Sequence, residues 1–162
     1  MTKTRRFVAL LLAAVLALAL FTACGAAQPT IGEQYEKWFV DQINSNLPEG
    51  KTVQKVDVEH SKMMAALEKI GKDGKFIAGD GCDTGKDGIG EWYWVILSYP
   101  RVLGVSGDET TNAVELTSEN LTKYGPNYLT KKSYLNKIRE YDIATRVMDG
   151  KTYVAVYVHL EA

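Results

Sequence analysis

The side chains in this 162-residue sequence able to do chemistry are few: two histidines, two cysteines, and a run of aspartates set among glycines ahead of a dense aromatic stretch. His60 and His159 each have one carboxylate close in sequence, Asp57 and Glu161 respectively. One carboxylate beside one histidine is too common a pattern to specify a metal. No cysteine or second histidine stands at ligand spacing, so no zinc site is expected. No serine sits in a nucleophile-elbow sequence. A nucleophilic Cys82 would need a base beside it, and nothing in the local sequence supplies one. Asp83-Thr84-Gly85-Lys86-Asp87-Gly88 has carboxylates at positions one and five of a calcium loop and the turn glycine at six. Gly85 offers no oxygen at position three, however, and Trp94 stands at twelve in place of a bidentate Glu. A plain turn is the expectation. The same stretch fails as a phosphate loop, because Asp80 stands five residues before Gly85 and Asp87 follows Lys86. No catalytic set, metal or cofactor is expected.

What remains is a binding chemistry. Trp92-Tyr93-Trp94, with Tyr99 nearby, is denser in aromatic rings than a minimal core needs. On a strand Trp92 and Trp94 share one face while Tyr93 faces the other. Such rings offer large contact area with a polar edge, suited to lining a groove; packing in the core is the competing use. Trp92 and Trp94 are therefore candidate binding residues, close in sequence to the Gly71–Gly90 segment.

The elements that must position them begin after residue 23. Lys3, Arg5 and Arg6 form a basic start. Phe7 to Phe21 then run for 15 residues without a charge, shorter than the roughly 20 that span a bilayer. The run ends in Phe21-Thr22-Ala23-Cys24-Gly25. Small residues before a cysteine let an extended chain enter a narrow peptidase site, and the thiol can carry a diacylglyceryl group. The segment resembles a bacterial lipobox, with Phe21 where Leu is usual. An ordinary secretory signal or an uncleaved anchor helix are the alternatives. The expected organisation is a lipoprotein signal peptide over residues 1–23, a lipidated Cys24 with its tether over 24–30, and a single globular domain over 31–162. Acylation at Cys24 with two or three chains suffices for stable anchoring on the extracytoplasmic face of the cell membrane.

Cleavage before Cys24 leaves 139 residues, a length suited to one domain with a real core. Loss of three basic residues from the 19 leaves 16 against 20 acidic ones, a net charge near −4 and no basic nucleic-acid footprint. With Cys24 lipidated, Cys82 has no intrachain disulfide partner.

Thr30-Ile31-Gly32-Glu33 reads as a capping box. Behind it Tyr35, Trp38, Phe39, Ile43 and Leu47 share a helical face that ends at Pro48-Glu49-Gly50. Val53 to Val56 reads as a short strand or extended link. Asp57 then caps a second helix reaching Ile70, with Met63, Met64, Leu67 and Ile70 inward. Seven glycines and four aspartates over residues 71–90 predict a loop. Trp92 to Tyr99 reads as a buried central strand, and Val102 to Val105 as a second strand or its return. Further helices are expected over Asp108–Lys123 and Thr130–Tyr141. Ile143–Val147 and Thr152–Leu160 form a β-hairpin about Asp149-Gly150. Both faces of its second strand are largely apolar, so both should be covered. The fold class is α+β.

This order of parts resembles a divergent member of the CAP superfamily (cysteine-rich secretory proteins, antigen 5 and pathogenesis-related proteins) over about Tyr35 to Leu160. The carriers are Ala65-Ala66 in the second helix, Gly74-Lys75-Phe76-Ile77-Ala78, Gly90-Glu91-Trp92 at the start of a strand, and the closing hairpin. The resemblance implies an α-β-α sandwich with a C-terminal antiparallel hairpin. It also implies a cleft that in full members holds two histidines and two acidic residues, often with a divalent metal. Here Ala78 stands at the first histidine position, residues 125–135 supply no second histidine, and Glu91 alone remains as a cleft carboxylate. The expected function is thus a membrane-anchored extracytoplasmic binding or interaction module. Its partners would be the membrane through Cys24 and a glycan, peptide, lipid or protein of the envelope. An envelope hydrolase using Glu91 with the loop carboxylates is the alternative.

Overall fold

The structure, a computed structural model, describes residues 28–105 and 107–162. The signal segment and Cys24 lie outside the described residues.

Thr30 begins the first helix, α1 (Ile31–Asn44), as its residue types require. The Thr30 hydroxyl accepts the Glu33 N–H at 3.2 Å, and the Glu33 carboxylate accepts the Thr30 N–H at 2.7 Å. Tyr35, Phe39 and Ile43 on its inner face are fully buried. A two-residue strand β1 (Gln54–Lys55) follows, then α2 (His60–Glu68). Asp57 does not cap α2; Glu59 holds the cap position and no side chain bonds to the free N–H groups there. The other end is closed by a distant residue: the Arg146 guanidinium donates to the carbonyls of Leu67 (2.6 Å) and Ile70 (3.3 Å).

The Gly71–Gly90 segment is not the loop its composition predicts. It holds β2 (Lys75–Ile77), a 3₁₀ turn over Ala78–Asp80 and β3 (Cys82–Lys86). β3 pairs antiparallel with β4 (Gly90–Ile96), Cys82 opposite Val95 and Lys86 opposite Glu91. Edge strands draw their stability from one row of backbone bonds, so β3 needs no apolar alternation and leaves no pattern to read. The Trp92–Tyr99 run divides at Leu97. Residues up to Ile96 join the larger sheet, while Ser98–Tyr99 form β5 in a second one. Val102 to Val105 is a turn, not a strand. Within Asp108–Lys123 the chain forms β6 (Thr110–Ala113) and a 3₁₀ turn over Leu121–Lys123 in place of a helix. A short α3 (Pro126–Leu129) and a 3₁₀ segment over Lys132–Lys137 replace the helix expected over Thr130–Tyr141. Ile138 onward is claimed by strand pairing, which leaves only residues 130–137 for a helix.

β7 (Ile138–Met148) and β8 (Lys151–Glu161) form the closing hairpin, longer at both ends than its apolar alternation suggests. Asp149 (φ 50°) and Gly150 (φ 78°) both take positive φ, as a two-residue turn matching the strand twist demands. The larger sheet runs β1-β7-β8-β4-β3, antiparallel except for the β1–β7 pair. The smaller runs β2-β6-β5 and is antiparallel throughout. β8 is the central strand, and Tyr153 to Leu160 are buried without interruption. Each face of the larger sheet carries a helix. α1 meets the Tyr141 and Thr145 side of β7, where Glu36 accepts from Tyr141; α2 meets the Asp142 and Arg146 side. The expected covering of both hairpin faces is what is observed, and the mixed α+β class holds.

Gly90 shows how tightly the strands at one end are joined. A Cβ there would lie 1.8 Å from the Leu160 carbonyl oxygen of β8. Gly90→Ala is expected to break the β4–β8 pairing at this end and lower the unfolding midpoint sharply. Gly150→Ala is expected to cost only roughly 1–2 kcal/mol, the penalty of a side chain at left-handed φ. Thermal melts of the two variants check the order.

Candidate functional site

Successive residues of β4 point to opposite faces, and this separates the three candidate binding residues. Glu91 lies on the α1 side, solvent-exposed, with its carboxylate 2.6 Å from Lys86 Nζ. Hydrogen bonding to Lys86, and that residue's charge, hold the Glu91 carboxyl below the usual glutamate range. It borders a shallow hollow of about 250 Å³ with Tyr134, Lys137, Leu160 and Glu161. An ionised, ion-paired, exposed carboxylate is poorly suited to act as a general acid. Trp92 and Trp94 lie on the α2 side. Trp94 is a core residue at 5% exposure. Trp92 is half-buried, tilted against Tyr157 at 6.2 Å between ring centres, with Lys62 Nζ 5.9 Å from its own ring. Glu91 is therefore not brought together with either tryptophan.

The glycine-rich segment does line a depression on the tryptophan side. One hollow of about 390 Å³ lies between α2 and β3, bordered by Lys62, Ala66, Lys69, Asp80, Asp83 and Trp94. A second of about 600 Å³ lies between β3 and the turn after Val102, bordered by Ile77, Asp80, Thr84, Val105 and Asp108. Both hollows are bordered by Gly79, Asp80, Cys82 and Asp83 at the free edge of β3, and together they are termed the β3 groove. Gly81 and Asp87 direct their backbone bonds to Ile96 and Gly90 of β4. By alternation the peptide groups of Cys82, Thr84 and Lys86 face the open edge. Asp83 accepts the Thr84 N–H at 2.8 Å and also sits 3.9 Å from Lys62, while Asp80 pairs with Lys69 at 2.9 Å. Cys82 is half-buried and its thiol donates to the Val102 carbonyl at 3.2 Å. No histidine borders this groove among the described residues. The Asp83–Gly88 stretch is strand followed by turn, with Asp87 accepting the N–H groups of Ile89 (2.8 Å) and Gly90 (3.0 Å).

Both histidines have carboxylate partners, and in neither case is it the sequence neighbour. His159, at 3% exposure, places Nδ1 3.0 Å from Glu140 Oε2. Its Nε2 lies 3.3 Å from Asp87 Oδ1 without completing a hydrogen bond. His60 Nδ1 is 2.7 Å from Asp142 Oδ2; the histidine is 44% exposed and the aspartate 1%. Asp142 Oδ1 accepts the Ile143 N–H. Tyr157 lies between the pairs on β8. Burial pushes its phenol up to about 12, with Glu140, Asp87 and Glu59 raising it further. These residues were legible in one respect. Once Asp149-Gly150 is the turn, pairing Met148 with Lys151 and counting back sets Glu140 opposite His159 and Asp142 opposite Tyr157. Asp87 and Glu59 carry no such signal. Among the described residues no group of three or more His, Cys, Asp or Glu side chains is arranged to hold a metal.

Compared with known family models, curated protein sequences and solved structures, the chain has no significant match.

The Asp87 carboxyl is held below the usual aspartate range, first by the Gly90 and Ile89 N–H groups and further by His159. A depressed folded pKa contributes stability above the unfolded value and loses it as pH falls through the folded one. Asp87→Asn should therefore flatten the loss of stability seen on acidification below about pH 4. Denaturant melts from pH 6 to pH 2 check this; parallel curves for wild type and variant would count against it.

Proposed function

We propose that this protein is a membrane-anchored extracytoplasmic lipoprotein whose domain holds an envelope ligand (a glycan, peptide, lipid or protein) in the groove along β3. The observation that carries the reading is that groove: open, bordered by charged pairs and apolar side chains, and of a size usual for ligand sites. Lys62, Lys69, Asp80 and Asp83 supply its polar contacts and Trp94 its aromatic floor. Anchoring rests on the basic start, the 15-residue apolar run and the small residues before Cys24. Among the described residues no helix is long and apolar enough to cross a membrane. Gly25 to Pro29 reach at most roughly 18 Å when extended, so the domain works close to the membrane surface.

The domain fold proposed is a CAP-like α-β-α sandwich over residues 31–162. Its support is a helix on each face of the larger sheet, Gly90-Glu91-Trp92 at the opening of β4, and the closing hairpin. Against a full CAP site stand Ala78, buried and without a ligating atom, and Tyr128 and Tyr134 in a segment that holds no histidine.

Two measurements test the reading. Cys24→Ser should release the protein from the membrane fraction and remove its acyl mass, whereas a membrane-bound, acyl-free variant would favour an uncleaved helix. For the groove, retention on purified peptidoglycan and on vesicles of envelope lipid should fall at least about tenfold, or 1.4 kcal/mol, in the paired variant Lys62→Glu, Asp83→Lys. Glu91→Ala should leave it unchanged. Equal retention of the groove variant and wild type would reject the groove.

A further inference from the structure

His60 stands apart from the groove, at the start of α2 on the other side of the helix's first turn. It borders a separate open hollow of about 450 Å³ with Lys55, Val56, Asp57 and Asp142. Asp142 is almost wholly buried and accepts the backbone N–H of Ile143 through one oxygen; the other faces His60 Nδ1 at 2.7 Å. A carboxylate so placed fixes the imidazole in the tautomer with the proton on Nδ1. Nε2 then carries a lone pair toward the partly exposed side of the ring. A buried carboxylate, a histidine it orients, and a concave opening are the parts of a general base. His159 has the carboxylates without the opening, since it is 3% exposed.

We propose that His60, positioned by Asp142, is a general base that activates water for hydrolysis of a small neutral carboxylic ester. The class follows from the charges that face the hollow. β7 contributes Asp142, and the link into α2 contributes Asp57. Among the described residues that line the hollow the one lysine or arginine is Lys55, which is already paired with Glu36 of α1 at 2.7 Å. A phosphate ester would meet net negative charge, whereas an uncharged acyl group would not. In the step, His60 Nε2 takes a proton from water as the water oxygen bonds to the acyl carbon. The tetrahedral adduct then collapses, the bond from carbon to the alkoxy oxygen breaks, and the imidazolium returns its proton to that oxygen. The products are the carboxylic acid and the alcohol. Asp142 is a positioning residue and does not take the proton.

The test uses the full chain in detergent with p-nitrophenyl acetate as probe. Hydrolysis should be faster than that of free imidazole at equal concentration and pH. His60→Gln, whose amide can still donate to Asp142, should lower it at least about a hundredfold, the usual worth of a positioned base, and a thermal melt checks that the variant is folded. Asp142→Asn should also lower it while leaving His60 present, which a merely exposed imidazole would not show. Glu115→Gln, a surface change elsewhere, should have no effect. A wild-type rate no greater than that of imidazole, a His60→Gln rate equal to wild type, or full activity in Asp142→Asn would each overturn the assignment. Because the β3 groove is read by retention on envelope material, either proposal can fail without the other.

Discussion

The β7–β8 hairpin sets the geometry on which everything else rests. Its turn admits only residues that tolerate positive φ, and Asp149-Gly150 supplies them, so the pairing of two eleven-residue strands is set at one point. A shift of one residue would turn every side chain of β8 to the wrong face. β8 cannot accept such a shift, because both of its faces are buried, one under α1 and the other under α2. Register and burial therefore enforce each other. The same pairing carries Glu140 to His159 and leaves Asp142 facing the start of α2, where His60 meets it.

Polar groups within this core follow the ordinary rule that buried charge must be partnered. Asp142 is held by an imidazole and a peptide N–H, and Arg146 spends its guanidinium on the end of α2. His159 lies between two carboxylates. The α2 face of the sheet is thus bound to its helix by directed bonds at both ends of that helix. The α1 face relies chiefly on Tyr35, Phe39 and Ile43, with the Tyr141–Glu36 bond at its margin. One face is specified by polar geometry, the other by shape. The groove along β3 exists because the sheet ends there: the edge peptide groups have no sixth strand, and the glycines beside them add no side chains to fill the space.

Much of the frame was legible from the amino-acid sequence. The Thr30–Glu33 box, the 3.6-residue spacing of Tyr35, Phe39 and Ile43, and the alternation about Asp149-Gly150 each have a local physical cause, and each appears where that cause puts it. The register of the hairpin, and with it the Glu140 partner of His159, was implicit in the turn; the meeting of Asp142 with His60 was not. Helices over 108–123 and 130–141 were the wrong reading for a common reason. Weak apolar spacing there is satisfied by contact with the sheets, and strand pairing at Thr110–Ala113 and from Ile138 onward competes with helix formation.

What only the tertiary structure decided concerns residues whose role comes from a neighbour across the fold. β3 is a strand because β4 offers it backbone bonds, although its own residues, Cys-Asp-Thr-Gly-Lys, show no apolar alternation. Glu91 and the two tryptophans, adjacent in sequence, part to opposite faces because a pleated strand alternates, and the ion pair with Lys86 then fixes what Glu91 is. Asp87 and Glu59 reach the histidine-bearing face only through a turn and a helix start that no periodicity announces. Local chemistry can be read along the chain, because capping, turns and periodicity act between near neighbours. Partners brought together by packing cannot, because their meeting depends on the summed free energy of the whole fold.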